Sequence, residues 1–322
     1  MNALAAGAGQ DGTMANPVVT ITLNPALDLS SLTKVVGPHH KLRCSPPSFD
    51  AGGGGLNVSR VCQRLGVDSV AVAPVGGPFG TQLTHLLEQD AINARLIPIA
   101  SSTRLSVTVT EEERGDDYRF VFPGPELTDD EVNSLLETVK TEAAGSAIVV
   151  ISGSFPPGRG DELLASLVAA TAASRLIVDT SGPALHAAIR QPAFLVKPSA
   201  RELADVVGRE LRTETDIEQA AEEVVASHPI EALLVSIGAG GAVLQTRDGA
   251  ARFRAPAIRV NSTVGAGDSL VAGIVVGLTR GLDLTDAVAF GIAAGTATCL
   301  SPGTSLCEPS DIDQLLPRVL VD

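Results

Sequence analysis

Two glycine-rich segments carry the residue types and spacings best suited to chemistry. The first is Asp50-Ala-Gly-Gly-Gly-Gly-Leu-Asn57, where four consecutive glycines lead into apolar residues at helical spacing, Val58, Val61, Cys62 and Leu65. Glycine alone lets the backbone approach a ligand this closely. The N–H groups and dipole at a helix start favour an anion or a hydroxyl-rich ligand. A flexible turn would read the same way, but four glycines cost much conformational entropy in a mere connector. Asn57 stands at the last glycine position of GxGxxG, and there is no GxxxxGK[ST] anywhere, so neither nucleotide fingerprint is met.

The second segment is Ser262-Thr-Val-Gly-Ala-Gly-Asp-Ser269. Gly265, Ala266 and Gly267 form a tight turn whose N–H groups can face one point, and Asp268 is expected to open a helix over 269–280. An anion hole beside a carboxylate suits phosphoryl transfer to an alcohol. The amides stabilise charge on the phosphoryl oxygens, and Asp268 takes the hydroxyl proton. A plain Asp N-cap after a glycine turn is the structural alternative.

Two weaker segments follow strands. Val196-Lys197-Pro198-Ser199-Ala-Arg-Glu202 would bring Lys197 and Glu202 to the sheet's carboxyl edge, where open α/β folds bind ligands. Val235-Ser236-Ile-Gly238-Ala-Gly-Gly241 is a strand and glycine turn of the kind that holds a nucleotide. Each also reads as ordinary structure. The five histidines show no metal-ligand spacing, and Ser154 has no neighbouring His or Asp pattern that would make it a nucleophile.

These segments need a scaffold to bring them together. Short β-branched runs at 17–23, 70–75, 147–151, 176–178, 193–196 and 232–237 read as buried strands. Helical patterns lie between them, among them Leu135-Leu136-Val139 and Leu163-Leu164-Leu167-Val168. Such alternation implies βαβ units and a mainly parallel sheet in an α/β fold. Residues 26–50 and 100–123 break the rhythm with extended stretches, including a hairpin split by a charged turn at 111–117. They are expected to form a small β-sheet lid, with Gly37 and Gly124 as flexing points. Residues 269–280 and 284–300 are Ala- and Gly-rich helices suited to close packing. One main domain over 16–322, after a loose tail at 1–15, accommodates all of this.

Composition narrows the function further. The 322 residues carry 23 Lys plus Arg against 37 Asp plus Glu, a net charge of −14, which argues against a nucleic-acid binder. A local basic patch can still serve an anionic small substrate. Cys44, Cys62, Cys299 and Cys307 form no CxxC pair, which points to reduced thiols in a cytoplasmic protein. No signal peptide is evident in 1–15, and the most apolar stretch, 271–278, is too short to span a membrane.

Taken together, in this order and separation, the glycine run and the 262–269 segment resemble the two signatures of the ribokinase-like (PfkB) sugar-kinase family. The resemblance covers about 17–320. Thr22-Leu-Asn-Pro-Ala-Leu-Asp28 looks like the start of its phosphosugar-kinase branch, which includes 1-phosphofructokinases and tagatose-6-phosphate kinases. Lys41-Leu-Arg-Cys44, Gly52-Gly-Gly-Gly55, Tyr118-Arg-Phe-Val-Phe-Pro-Gly124 and Ile151-Ser-Gly-Ser154 are similar to its 6-phosphofructokinase members. Gly54 agrees, since 1-phosphofructokinases usually carry Lys there.

The resemblance implies a three-layer α/β/α fold with a β-sheet lid that often forms a dimer interface. It implies that Asp268 is the general base and that Gly265, Ala266 and Gly267 form the anion hole. Asp28, Gly53, Gly54, Asn57 and Ser154 would hold the sugar. Lys41, Arg43 and Arg104 would meet its phosphate, one of them reaching across a homodimer. Lys197, Ser199, Glu202, Ser236, Gly238 and Gly241 would serve ATP, with Glu202 meeting Mg²⁺ through water. Ser262, Val264 and Ser301 match a monovalent-cation (K⁺) site. The chain departs from the pattern at Ser199, usually Asn, and at Ser301 and Ser305, where the branch tends to carry Asn and Arg. The expected activity is transfer of the γ-phosphoryl group of ATP to the 1-hydroxyl of fructose 6-phosphate. A 1-phosphofructokinase or tagatose-6-phosphate kinase is the alternative within the class. A Rossmann-type oxidoreductase and a non-catalytic sugar or nucleotide sensor are the alternatives outside it.

Overall fold

The computed structural model describes residues 18–39, 41–301 and 303–322. The loose tail expected at 1–15 lies outside them. Among the described residues fourteen strands form two sheets. In chain order they are β1 (Val18–Ile21), β2 (Ala26–Thr33), β3 (Ser48–Gly52), β4 (Ser69–Val75), β5 (Ala94–Pro98), β6 (Arg104–Glu111) and β7 (Asp117–Val121). Then come β8 (Ile148–Ser152), β9 (Arg175–Asp179), β10 (Ala193–Val196), β11 (Ile230–Ser236), β12 (Ala242–Thr246), β13 (Gly249–Arg254) and β14 (Leu320–Val321). Among the described residues ten α-helices accompany them: α1 (Gly54–Arg64), α2 (Gly77–Gln89), α3 (Asp129–Ala143), α4 (Gly160–Ala170), α5 (Pro183–Ala188), α6 (Ala200–Val207), α7 (Glu214–Ser227), α8 (Ala266–Thr279), α9 (Leu284–Thr298) and α10 (Pro309–Leu315).

The large sheet has the order β14-β13-β12-β11-β10-β9-β8-β1-β4-β5. It is parallel from β11 through β5, and antiparallel where β12, β13 and β14 extend it. Alternation along its strands explains the layers, because neighbouring residues face opposite sides. Val18, Ile148 and Val150 pack with α1, α8 and α9, whereas Val19, Val149 and Ile151 pack with α3, α4, α5 and α7. Both faces are therefore covered, and the strands read as apolar runs rather than as alternating patterns.

The second sheet runs β3-β2-β6-β7 and is built from the two stretches that broke the α/β rhythm. Its register sets one apolar row across all four strands, Phe49–Leu29–Val107–Phe120. The opposite face carries Asp28 and Ser106 as direct partners. Phe49, Phe120 and Phe122 are exposed in the single chain.

The α8–α9 pair is packed backbone against backbone at its glycines. A Cβ at Gly273 would lie 2.6 Å from the α-carbon of Gly291, and one at Gly291 would lie 2.5 Å from the Leu270 carbonyl. Among the described residues no helix is long and apolar enough to cross a membrane. All four cysteines are unpaired.

Candidate active site

Helix α8 begins three residues earlier than the sequence pattern suggests. Its N-cap is Gly265, held at φ 76°, a left-handed conformation suited to glycine. Ala266 and Gly267 are thus helical, and Asp268 sits inside the first turn instead of preceding the helix. Packing fixes the turn from behind: Leu306 lies 2.8 Å from where a Gly265 side chain would start.

The turn stands between two cavities. On one side is a pocket of about 300 Å³ lined by Asp28, Gly53, Gly54, Asn57, Arg104, Gly265 and Asp268, together with Ser106 and Arg119. On the other is a mostly apolar pocket of about 480 Å³ that reaches Ala266 and Gly267 and is lined by Ser236, Gly238, Gly241, Ala255, Pro256, Leu270 and Thr296. Thr263 borders both.

In the polar pocket, Asn57 Nδ2 donates to Asp268 Oδ2 over 2.8 Å. Burial raises the Asp268 carboxyl above its ordinary range. The Asn57 bond and the Lys197 charge oppose that rise, and Asp28 adds to it. Asp28 is raised by burial as well, against a hydrogen bond with Ser106 and the charge of Arg104. Burial lowers Arg104, and Asp28 counters it. Arg104 Nε also donates to the Asn24 carbonyl at 3.1 Å. The glycines line this pocket because nothing larger fits: a Cβ on Gly54 would lie 2.2 Å from Ser152 Oγ.

Lys197 reaches the same turn from the end of β10. A Cβ on Gly267 would stand 3.7 Å from its Nζ. Nζ pairs with Asp179 Oδ1 at 2.9 Å; Lys197 is buried and Asp179 is half-buried. Asp179 is pushed up to about 6, first by burial, with Lys197 opposing and Asp268 and Glu202 adding to the rise. Burial pulls Lys197 down, but the carboxylates of Asp179, Asp268 and Glu202 together more than offset it and leave the ammonium raised.

Ser199 caps α6 in a reciprocal box with Glu202. Its backbone N–H and Oγ–H donate to Glu202 Oε2 at 2.7 and 2.8 Å, while the Glu202 N–H donates to Ser199 Oγ at 3.3 Å. A β-bridge joins Ser199 to Ser236. Lys197, Ser199 and Glu202 thus lie beside the apolar pocket rather than lining it, while Ser236, Gly238 and Gly241 do line it. Gly241 is obligatory there, since a Cβ would lie 1.9 Å from the Phe253 carbonyl oxygen.

Three residues expected at the sugar are not brought into the polar pocket of this chain. Lys41 and Arg43 are exposed between β2 and β3. Ser154 is exposed after β8 and accepts a hydrogen bond from Asn24 Nδ2 at 3.1 Å. Around the expected cation site, Ser262 Oγ donates to the Gly303 carbonyl at 2.7 Å and accepts from the Val264 N–H at 3.2 Å. Ser301 Oγ donates to the Leu306 carbonyl at 3.5 Å. Of these bonds only Ser262–Gly303 joins the two loops, and Asn261 adds bonds from its N–H and Nδ2 to the Cys299 and Leu300 carbonyls at 2.8 and 2.7 Å.

Sequence reasoning missed Arg119, Ser106 and Asp179. Arg119 sits on β7 opposite Thr108, two residues from Val121, which also lines the pocket. The period-2 alternation of the Tyr118–Phe122 run could have placed it on the pocket face. Asp179 ends β9, and a carboxylate at a parallel strand's carboxyl end is a signal by position alone.

The comparisons with known proteins bear on the family and the fold. A family model described as pfkB family carbohydrate kinase matches residues 16–311. The ATP-dependent 6-phosphofructokinase isozyme 2 of Mycobacterium tuberculosis is 43% identical over 299 residues, covering 92% of this chain and 88% of that protein. The crystal structure of phosphofructokinase-2 from Escherichia coli in complex with fructose-6-phosphate superimposes with a TM-score of 0.88 at 37% identity, covering 94% of this chain and 98% of that one. The tetrameric inhibited form of the same enzyme gives 0.88 at 38% identity, over the same shares of the two chains. By the family model and by this identity over nearly its whole length, the chain belongs to the pfkB family of carbohydrate kinases and is a sugar phosphotransferase.

Proposed function

We propose that the enzyme transfers the γ-phosphoryl group of ATP to the 1-hydroxyl of fructose 6-phosphate. One observation carries the reading: the first turn of α8 is the wall between a polar pocket bearing a buried carboxylate and an apolar pocket large enough for a nucleotide base. The resemblance to enzymes named for fructose 6-phosphate supplies the sugar.

Each residue then has a physical task. Asp268 accepts the proton of the attacking hydroxyl, and Asn57 holds its carboxylate in place. The amides of Gly265, Ala266 and Gly267 stabilise negative charge that grows on the transferred group. Lys197 adds a cation beside that turn. Asp28, Gly53, Gly54 and Asn57 take sugar hydroxyls, and Arg104 and Arg119 face the phosphate already on the sugar. Ser236, Gly238 and Gly241 bound the nucleotide.

A magnesium ion fits the acidic side of the turn. Asp179 is raised partly by the charges of Asp268 and Glu202, a crowding that a divalent cation relieves. Among the described residues no three His, Cys, Asp or Glu side chains come together to enclose an ion. Glu202, acting through water and together with substrate phosphates, is the residue that would hold it, and the bound ion would neutralise phosphate charge. Ser262, Val264 and Ser301, on oxygen-rich loops, are the proposed seat of a K⁺ ion.

The four-stranded sheet is proposed as a lid and as a dimer surface. Its apolar row Phe49–Leu29–Val107–Phe120 faces away from the sugar and suits a second copy. Lys41 and Arg43, exposed in the loop between β2 and β3, would reach the partner's phosphosugar. A cytoplasmic location is part of the proposal, supported by the need for ATP and by the four unpaired thiols.

A panel of fructose 6-phosphate, fructose 1-phosphate, tagatose 6-phosphate and free fructose, read by ADP release, tests the reading. Fructose 6-phosphate should give the highest kcat/KM, with phosphate appearing on C1 by ³¹P NMR. Preference for fructose 1-phosphate or for an unphosphorylated sugar would overturn it.

A further inference from the structure

We propose that Asn24 is a positioning residue for the sugar phosphate, joining Ser154 of the main domain to the root of the four-stranded sheet. The proposal rests on the family-based reading that Arg104, and Ser154 from just outside the polar pocket of this chain, meet the phosphosugar. Asn24 lies between β1 and β2 and is 8% exposed. Its carbonyl accepts from Arg104 Nε at 3.1 Å. Its Nδ2 donates to Ser154 Oγ at 3.1 Å, across 130 residues of sequence, and approaches the Phe155 carbonyl at 3.5 Å.

Three connections of the second sheet meet at this residue. Ala26, which opens β2, pairs in register with Arg104, which opens β6. Gly124, just past β7, presses on the amide: a Cβ there would be 1.9 Å from Asn24 Oδ1. Only glycine at 124 permits that approach, so the flexing point expected at Gly124 is instead a packed contact.

The amide orientation follows from its neighbours. The Phe155 carbonyl can only accept, so Nδ2 must face it and Oδ1 must turn toward Gly124. Oδ1 is buried with no hydrogen-bond partner among the described residues. A buried acceptor left this way is costly. The arrangement is explained if the other half of the amide has a task. With Nδ2 donating to Ser154 Oγ, the Ser154 hydroxyl proton is free to point elsewhere, toward an oxygen of the sugar phosphate. Asn24 thereby sets Ser154 as a donor while its carbonyl holds Arg104.

Steady-state kinetics of single and double variants test this. Asn24→Asp keeps the size but reverses the polarity toward Ser154, and Asn24→Ala removes the amide. Both should raise KM for fructose 6-phosphate about tenfold, with kcat and the KM for ATP changed less than about twofold. In a Ser154→Ala background, Asn24→Ala should add less than about twofold, because the two residues act as one unit. Two results overturn the inference while leaving the Ser154 reading intact: Ser154→Ala raises KM but the Asn24 variants do not, or Asn24→Ala retains its full effect in the Ser154→Ala background. An unchanged KM in Ser154→Ala itself sinks the reading of Ser154, and the inference with it.

Discussion

Asn57 Nδ2 stands 2.8 Å from Asp268 Oδ2, and this bond joins the two glycine-rich segments across 211 residues. It brings the start of α1 to the first turn of α8, so the residues proposed for the sugar and the proposed base share one polar pocket.

The bond makes a prediction about pH. Burial holds the Asp268 carboxyl above its ordinary range, and the Asn57 amide partly counters that rise. A base works when ionised, so turnover should be full above this raised pKa and be lost as pH falls through it. Asn57→Leu removes the counteracting bond and should move the acid limb of log kcat to higher pH. A limb that stays in place would show that Asn57 does not tune the base.

Lys197 and Asp179 should depend on one another. Asp179→Asn leaves a buried ammonium without its carboxylate partner and should cost about 3 kcal/mol in urea unfolding. Adding Lys197→Met should recover most of that stability while turnover stays low. If Asp179→Asn unfolds at the wild-type midpoint, the pair is not what holds Lys197 in place.

The closeness of α8 and α9 should matter for both stability and rate. Gly273→Ala places a methyl 2.6 Å from the Gly291 α-carbon. The helices must then separate, at a cost of about 1–3 kcal/mol. Because α8 carries Asp268, kcat should fall as well, as a thermal melt and a rate measured on the same preparation would show. Unchanged kcat in a destabilised variant would separate packing from catalysis.

The apolar row on the second sheet predicts an assembly. Phe120→Asp combined with Phe122→Asp places charge on exposed aromatic positions away from the polar pocket. Light scattering should show the particle mass falling to that of one chain, with KM for the phosphosugar rising as Lys41 and Arg43 of the second copy are lost. An unchanged mass would place the interface elsewhere.

The core of the fold was legible because a sheet covered on both faces needs uninterrupted β-branched runs. Val19–Ile21, Val149–Ile151 and Ile177–Val178 are such runs. The antiparallel extension β12–β14 was not legible. Its strands Ala242–Thr246 and Gly249–Arg254 carry mixed, partly exposed residues whose pairing depends on the sheet beside them. In the site, Asp268 and the glycines stood out by type and spacing. Asp179 and Arg119 did not, because each is an ordinary residue made special by where its strand ends or faces. The start of α8 was misjudged because a left-handed Gly265 can cap a helix as an Asp can, and sequence alone does not choose between them.

The most direct test is the turnover of Asp268→Asn with fructose 6-phosphate and ATP. The substitution keeps shape and removes the base. With folding verified by circular dichroism, kcat should fall by roughly 10²–10⁴-fold or more, while KM for both substrates changes little. Near-normal kcat in a folded Asp268→Asn enzyme would contradict the account.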